Sequence, residues 1–413
     1  MIRVFAERSV RFRHEFHPGG GERREETFAH GACVDEHVAA GEVVHRFADG
    51  DDLFRAAVRR VDAGVADTAR EVQARPLAVA DEATRAALAE LAGTTGASLV
   101  LGGFHQHVAT GDESRAADDE RLVRTVEVTV SGVSETVAWP AGEPLAALLG
   151  RVEEAAGRAA ETAALPYADT PPGACDLVLR PGRAGAFFHE LVGHPMEADV
   201  VHSGTSYLGA RRGRRVAPEW LDVVDGGTRA ASGFRSRADD EGTPCAEVSL
   251  LDRGVVGAPM TDLATARLTG DRASGHGRRL DFRHPAIPRM THTCALVAAG
   301  AEPERPASPW IEPYGLQLEM MNIATGEFLF SARSPVLREY DGPPRRLPPL
   351  LVAGDGLSAL GALRPCDAET AEYVRATRGC GKLGQFPLLV SFANAGVTLP
   401  AGSVTLRPGG SPR

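Results

Sequence analysis

Three prolines and a glycine fall within the ten residues Leu165–Ala174 (LPYADTPPGA). Each proline removes a backbone donor and fixes φ, and the residue before it avoids the helical region. Neither a helix nor a sheet ladder is therefore expected to run through this stretch. The chain divides there. Residues 1–167 are expected as an N-terminal α/β domain and 168–413 as a β-rich C-terminal domain. With 413 residues, 43% of them hydrophobic, the chain is long enough for two cores.

The two halves carry different patterns. In the first, Val10 and Phe12 alternate with Arg11 and Arg13, so Met1 to Phe16 reads as a strand. Asp51–Ala66 and Asp81–Ala92 are Ala-rich, charged and helix-like. Ala97–Gly102 (ASLVLG) reads as a short apolar strand, and Val126, Val128 and Val130 alternate with Glu127 and Thr129 as a half-buried one. Across Pro144–Ala164, Leu145, Leu148, Leu149, Val152 and Ala156 recur at helical spacing, with Glu153, Glu154 and Arg158 turned to water. In the second half Asp176–Leu179 (DLVL) reads as a buried strand. Beyond it come short apolar runs separated by Gly, Pro and Asp: Val248–Leu251, Gly254–Pro259, Phe328–Ser331, Leu350–Ala353 and Pro387–Phe392. Such runs predict a β-rich domain with few helices, and the whole is expected to be α+β.

The net charge of −10 argues against nucleic acid as a direct partner, and the densest basic run, Arg211–Arg215 (RRGRR), reads as a solvated turn. No apolar stretch approaches the roughly 18 residues that span a bilayer. The charged N-terminus MIRVFAERSVRFRHEF has no apolar core of a signal peptide. The six cysteines are scattered with no CxxC pair, as in reduced proteins of the cytoplasm.

The chemistry concentrates in Phe188–His194, FHELVGH. Two histidines around a glutamate in the pattern HExxxH suit a metal and a general base, and the plain alternative is two satisfied helical histidines. In the familiar HExxH the histidines sit at i and i+4, about 40° apart around a helix at about 100° per residue; here they sit at i and i+5, about 140° apart. A straight helix cannot aim both at one ion. A π-bulge would restore the shared face; Gly193 and Pro195 loosen the same turn. A catalytic zinc site takes three protein ligands and keeps one position open. The third ligand stays open on spacing alone. The cysteines, other histidines, Asp199 and Glu197 are candidates, and Glu197 is a plausible pick.

FHELVGHPMEAD resembles the metal helix of the TldD/PmbA family, peptidases also described as modulators of DNA gyrase. The likeness continues through Asp225–Thr228 (DGGT), Gly233–Pro244 (GFRSRADDEGTP), Pro288–Thr293 (PRMTHT), Gly326–Ser331 (GEFLFS) and Arg378–Gln385 (RGCGKLGQ). The N-terminal half matches only in general character. The resemblance implies zinc held by His189, His194 and Cys380, with Glu190 as catalytic base. Gly379 and Gly381 would let the backbone bring the Cys380 thiolate near the ion. It also implies cleavage of short or unfolded peptides and a dimer, often with a metal-free homologue, in which this chain would be the catalytic subunit. An extended peptide would be held by β-addition along an exposed sheet edge; the substrate-binding residues are not readable.

His292 stands where the family usually has Asn, either as a harmless swap or touching substrate or metal. Pro313–Glu319 (PYGLQLE) lacks the glycine pair common there. Asp239, Asp240 and Glu241 are expected to hydrogen-bond their own turn. Two other functions fit the same residues. One is a maturation protease for a ribosomally made peptide precursor. The other is a non-catalytic modulator of a toxin–gyrase system, with structural zinc in a closed four-ligand site.

Overall fold

Along residues 2–16 the even positions Val4, Ala6, Val10, Phe12 and Phe16 and the odd positions Phe5, Glu7 and Ser9 are all buried, so this strand is covered on both faces. The computed structural model describes residues 2–37, 43–49, 63–112, 116–168 and 174–409. Six strands form one antiparallel sheet in the order β3-β2-β1-β4-β5-β6: β1 (Ile2–Phe16), β2 (Glu22–His37), β3 (Val43–Asp49), β4 (Ser98–Gly111), β5 (Ala116–Val130) and β6 (Val133–Ala138). The helices Glu82–Thr95 and Leu145–Ala164 cover one face. Leu88, Leu148 and Val152 pack there on Val10, Phe12, Leu99, Leu101, Val126 and Val128. The Asp81 side chain caps the first of these helices by accepting from Thr84 N–H. The expected helix over Asp51–Ala66 lies largely outside the described residues; a helix spans Ala63–Ala74.

The other face of this sheet packs on the second half of the chain. Phe5, Cys33 and Val108 meet Phe282, and Phe104 and Val123 meet Phe234, Val374 and Leu389. Polar groups cross the same seam. Arg121 pairs with Asp240, and Arg279 donates to Asp35 at 2.6 Å. The chain is α+β.

The second half is built on a ten-stranded sheet whose central strand, Ser391–Leu399, pairs parallel with His292–Val297 and antiparallel with Asp176–Leu179 and Arg364–Val374. A four-stranded sheet follows the order Gly315–Met321, Glu327–Arg333, Leu350–Asp355, Thr405–Pro408, which leaves Gly315–Met321 at an edge. The expected single strand over Pro387–Phe392 is divided. Its start belongs to the hairpin Cys380–Lys382/Gln385–Leu388 and its end to the central strand. The run Gly254–Pro259 shortens to the pair Val255–Val256. No described helix is long and apolar enough to cross a membrane.

Candidate metal centre and its cleft

Four residues of α-helix, Gly185–Phe188, lead into a π-helical turn, His189–Gly193, and then a 3-10 turn, His194–Met196. The His194 N–H reaches back five residues to the His189 carbonyl. That one extra residue per turn returns the two histidines to one face, the distortion that HExxxH requires. The turn is clamped from behind: Phe187, Phe188, Leu191 and Val192 are buried among Phe328, Phe330 and Leu350. Each such side chain contributes about 1.5–3 kcal/mol. Gly193 has ordinary helical angles (φ −61, ψ −63), so it is not there to relieve the backbone. A Cβ on it would lie 1.9 Å from the Met290 sulfur; the glycine lets Met290 press on the turn.

The third group arrives on the hairpin. Cys380 Sγ lies 3.2 Å from His189 Nε2 and 2.9 Å from His194 Nε2. Gly379 makes this approach possible, because a Cβ there would stand 2.4 Å from the Leu388 carbonyl oxygen across the hairpin. One sulfur and two imidazole nitrogens thus point at a common centre, all within 4.8 Å of one another. This soft and borderline donor set suits zinc. Glu190 lies beside it, Oε2 3.8 Å from His194 Nε2, and is not one of the three converging donors.

Glu197 is not among them either. It is fully buried, and its Oε2 lies 3.1 Å from His194 Nδ1 and 3.0 Å from Lys382 Nζ. It stands behind the histidine and fixes which ring nitrogen faces the centre. The carboxylate three residues after the second histidine, in HPME, and the lysine in CGK were the available signals for this pair. Lys382 also bonds Asp199 at 2.6 Å. Burial alone would raise the Glu197 pKa, but His194, Lys382 and Arg289 outweigh it and bring it down to about 2. Burial likewise opposes charge on both His194 and Cys380. The Cys380 thiolate and Glu197 nevertheless hold the His194 pKa well above the imidazole range, and the two histidines hold the Cys380 thiol well below its usual value. Desolvation raises the pKa of Glu190.

The centre lies on the floor of a cleft of about 790 Å³. The edge strand supplies Leu316, Gln317, Leu318 and Met321, and Tyr373, Arg375, Arg378, Phe386 and Phe392 also line the cleft. PYGLQLE thus lines the cleft. His292 does not: it is buried, with Nδ1 2.8 Å from Ser391 Oγ. Asp239, Asp240 and Glu241 lie at the seam between the halves. Asp239 accepts from the N–H groups of Glu241, Thr243 and Gly277 at 2.8–3.0 Å. Arg211–Arg215 is largely exposed, and none of the six cysteines forms a disulfide.

Two other clusters bring metal-binding residue types together, Cys33/Asp35/His45 and His105/His107/Glu120. In the first, Arg279 already sits on Cys33 Sγ and Asp35. In the second, His105 Nδ1 accepts the Ala78 N–H, so Nε2 carries the proton that it donates to Glu120. That tautomer has no lone pair left for an ion.

Residues 172–339 match the model of the PmbA/TldA metallopeptidase C-terminal domain. The chain is 32% identical over 167 residues to the metalloprotease TldD homolog of Buchnera aphidicola subsp. Acyrthosiphon pisum, covering 40% of this chain and 35% of that protein. It is also 32% identical over 120 residues to the zinc metalloprotease TldD homolog of Saccharolobus solfataricus, covering 28% of this chain and 26% of that protein. The chain thus spans about a third of the length of the first curated relatives it matches. The crystal structure of TldE from Thermococcus kodakarensis superposes with a TM-score of 0.69 at 14% identity, over 99% of this chain and 96% of that one. That likeness extends the shared fold through the N-terminal half, which lies outside the matched domain of residues 172–339. Residues 172–339 thus resemble the PmbA/TldA metallopeptidase C-terminal domain, and the chain as a whole shares the fold of the TldE structure.

Proposed function

We propose that this chain is a zinc-dependent peptidase acting on short or unfolded peptides, with His189, His194 and Cys380 as zinc ligands and Glu190 as general base. The observation that carries it is the convergence of the two Nε2 atoms and the Cys380 Sγ on the floor of a peptide-sized cleft, with Glu190 beside them. A zinc ion bound there would supply Lewis acidity and an acidified water. The chain's own residues do the rest. Glu197 and Lys382 hold His194 in register. Glu190 takes a proton at its carboxylate and returns it to the leaving amine. The free edge of Gly315–Met321 accepts an extended peptide as a further strand, through backbone bonds that are indifferent to most of its side chains. In this reading residues 168–413 form the catalytic domain and 1–167 brace it from behind. The partner would be a second subunit, including a metal-free homologue such as a TldE-like chain.

The test is metal content and hydrolysis of unstructured peptides for the wild type and Glu190→Gln, each produced with the metal-free homologue from the same source. The variant keeps zinc and its fold and loses at least about a hundredfold in rate, within the usual range for a lost general base. Equal rates for the two proteins, or no cleavage by the wild type, would overturn the peptidase reading.

A further inference from the structure

Six charged side chains line the cleft: Glu190, Glu197, Asp199, Arg375, Arg378 and Lys382. Lys382 is held by Asp199 and Glu197. Arg375 lies on Glu127, Nε to Oε1 at 3.1 Å with Nη2 on Oε2, and Thr377 Oγ1 donates to the same carboxylate at 2.6 Å. Glu127 therefore has both oxygens engaged. Glu190 faces the ligand cluster. Arg378 is left over. Among the described residues its guanidinium has no hydrogen-bond or ion-pair partner, and it stands exposed in the cleft with two like charges, Arg375 and Arg333, nearby. In a chain of net charge −10 this is a local reversal of sign. It occurs in a cleft also lined by the apolar Leu316, Leu318, Met321 and Phe392, where water screens less than on open surface. Three arginines with one carboxylate among them repel one another unless an anion joins them. A planar guanidinium fork suits a carboxylate, which it grips with two parallel bonds.

We infer that Arg378 makes this part of the cleft a receptor for a carboxylate of the bound peptide, and is the residue that selects substrates by charge. The occupant is a peptide only if the peptidase reading holds, so the test reads binding and not turnover. The carboxylate can be the peptide's C-terminal group, which would place cleavage near that end, or an Asp or Glu side chain, which would place an acidic residue beside the scissile bond. The zinc-loaded Glu190→Gln protein is titrated with fluorescent peptides matched in sequence: free acid, C-terminal amide, and each with its single internal Glu or Gln.

The carboxylate form of one pair should bind roughly tenfold more tightly, the value of one accessible charge-assisted pair, and the pair that shows it identifies the source. Arg378→Gln should erase the contrast while keeping zinc. Arg378→Glu should reverse it. Arg378→Lys, which keeps the charge and loses the fork, should fall between and serves as a second variant should Gln disturb the neighbouring Cys380. Equal binding of all four peptides to the protein with Arg378, or a contrast that survives Arg378→Gln, would overturn the inference. Absent hydrolysis by the protein with Glu190 intact, alongside a carboxylate contrast that depends on Arg378, would overturn only the peptidase reading.

Discussion

Two buried polar clusters in this molecule look alike in the sequence and differ in kind. Both hold buried carboxylates: Glu197 beside the converging His189, His194 and Cys380, and Glu7, Asp239, Asp240 and Glu241 at the seam between the halves. At the seam the donors close on themselves. Arg121 and the Arg279 N–H take Asp240, backbone amides take Asp239, and the Leu263 N–H takes Glu241. None of these four seam carboxylates lines the cleft that holds the ligand cluster. At the floor of the cleft the donors are left aimed at a shared point, and the carboxylates behind them serve to orient. Buried charge alone therefore does not mark function. Convergent lone pairs at the foot of a cleft do.

The sharpest separation of the two regions should come from removing one ligand. Cys380→Ser is expected to lose near-stoichiometric zinc, measured on the purified protein. The zinc-free fold should shift by only ~1 kcal/mol, since one buried sulfur contact is exchanged for a weaker hydroxyl one. Full zinc retention would remove Cys380 from the site.

The converse comes from Arg121→Met. It leaves Asp240 buried without its guanidinium and should cost about 3–5 kcal/mol, seen as a lower urea midpoint. Zinc affinity of the folded protein should not move. A joint loss of both properties would mean that seam and cleft are one cooperative unit.

A smaller effect is expected at Glu197→Gln. The neutral amide keeps the shape but orients His194 less firmly, and such partners are worth about 10–100-fold in metal affinity. Competition with a calibrated chelator gives the ratio. An unchanged affinity would reduce Glu197 to a filler of space between His194, Lys382 and Arg289.

The cleft was more legible in the sequence than the seam, for a physical reason. HExxxH states its own geometric problem, and only a π-turn solves it. The proposed ligand role of Cys380 rests on resemblance in the sequence, because 186 residues separate it from His194 and no local pattern joins them. The strands at the seam hid themselves. Ala97–Gly102 shows the start of β4, but the strand continues to Gly111 through Phe104, His105, Gln106 and His107. The three polar ones are buried and bonded to distant groups, Gln106 to Glu7 and His107 through Nε2 to the Pro76 carbonyl. A strand covered on both faces loses the polar alternation by which it would be read. β2 was missed for the opposite cause. Its first half, ERREETF, is exposed and charged, and is held by a full antiparallel ladder with β1 and by pairs such as Arg24–Glu22.

The least effect, and the most specific to the seam, is a pH dependence at Glu7. Its Oε1 accepts the Phe282 N–H at 2.8 Å from the second half, and Oε2 accepts from Gln106 at 2.6 Å. These bonds favour the carboxylate, but burial outweighs them, and with Asp281 and Asp240 nearby it raises the pKa to about 7 from 4.5. A raised folded-state pKa means that the folded chain binds the proton more tightly than the unfolded one. The stabilisation is complete below about pH 4.5 and is lost as pH rises through about 7. The depressed acids Asp35, Asp225 and Glu197 run the other way, losing stability only as pH falls below about 4, so the two windows do not overlap. Histidines titrate between pH 5 and 8 as well, so the quantity to measure is the difference between the wild type and Glu7→Gln in urea unfolding at pH 5 and pH 8. Wild type should lose on the order of 1–2 kcal/mol more than the variant over that interval. Parallel curves would show that Glu7 stays ionised at the seam, and that its three hydrogen bonds, with Gln106, Phe282 and Ser9, overcome the burial.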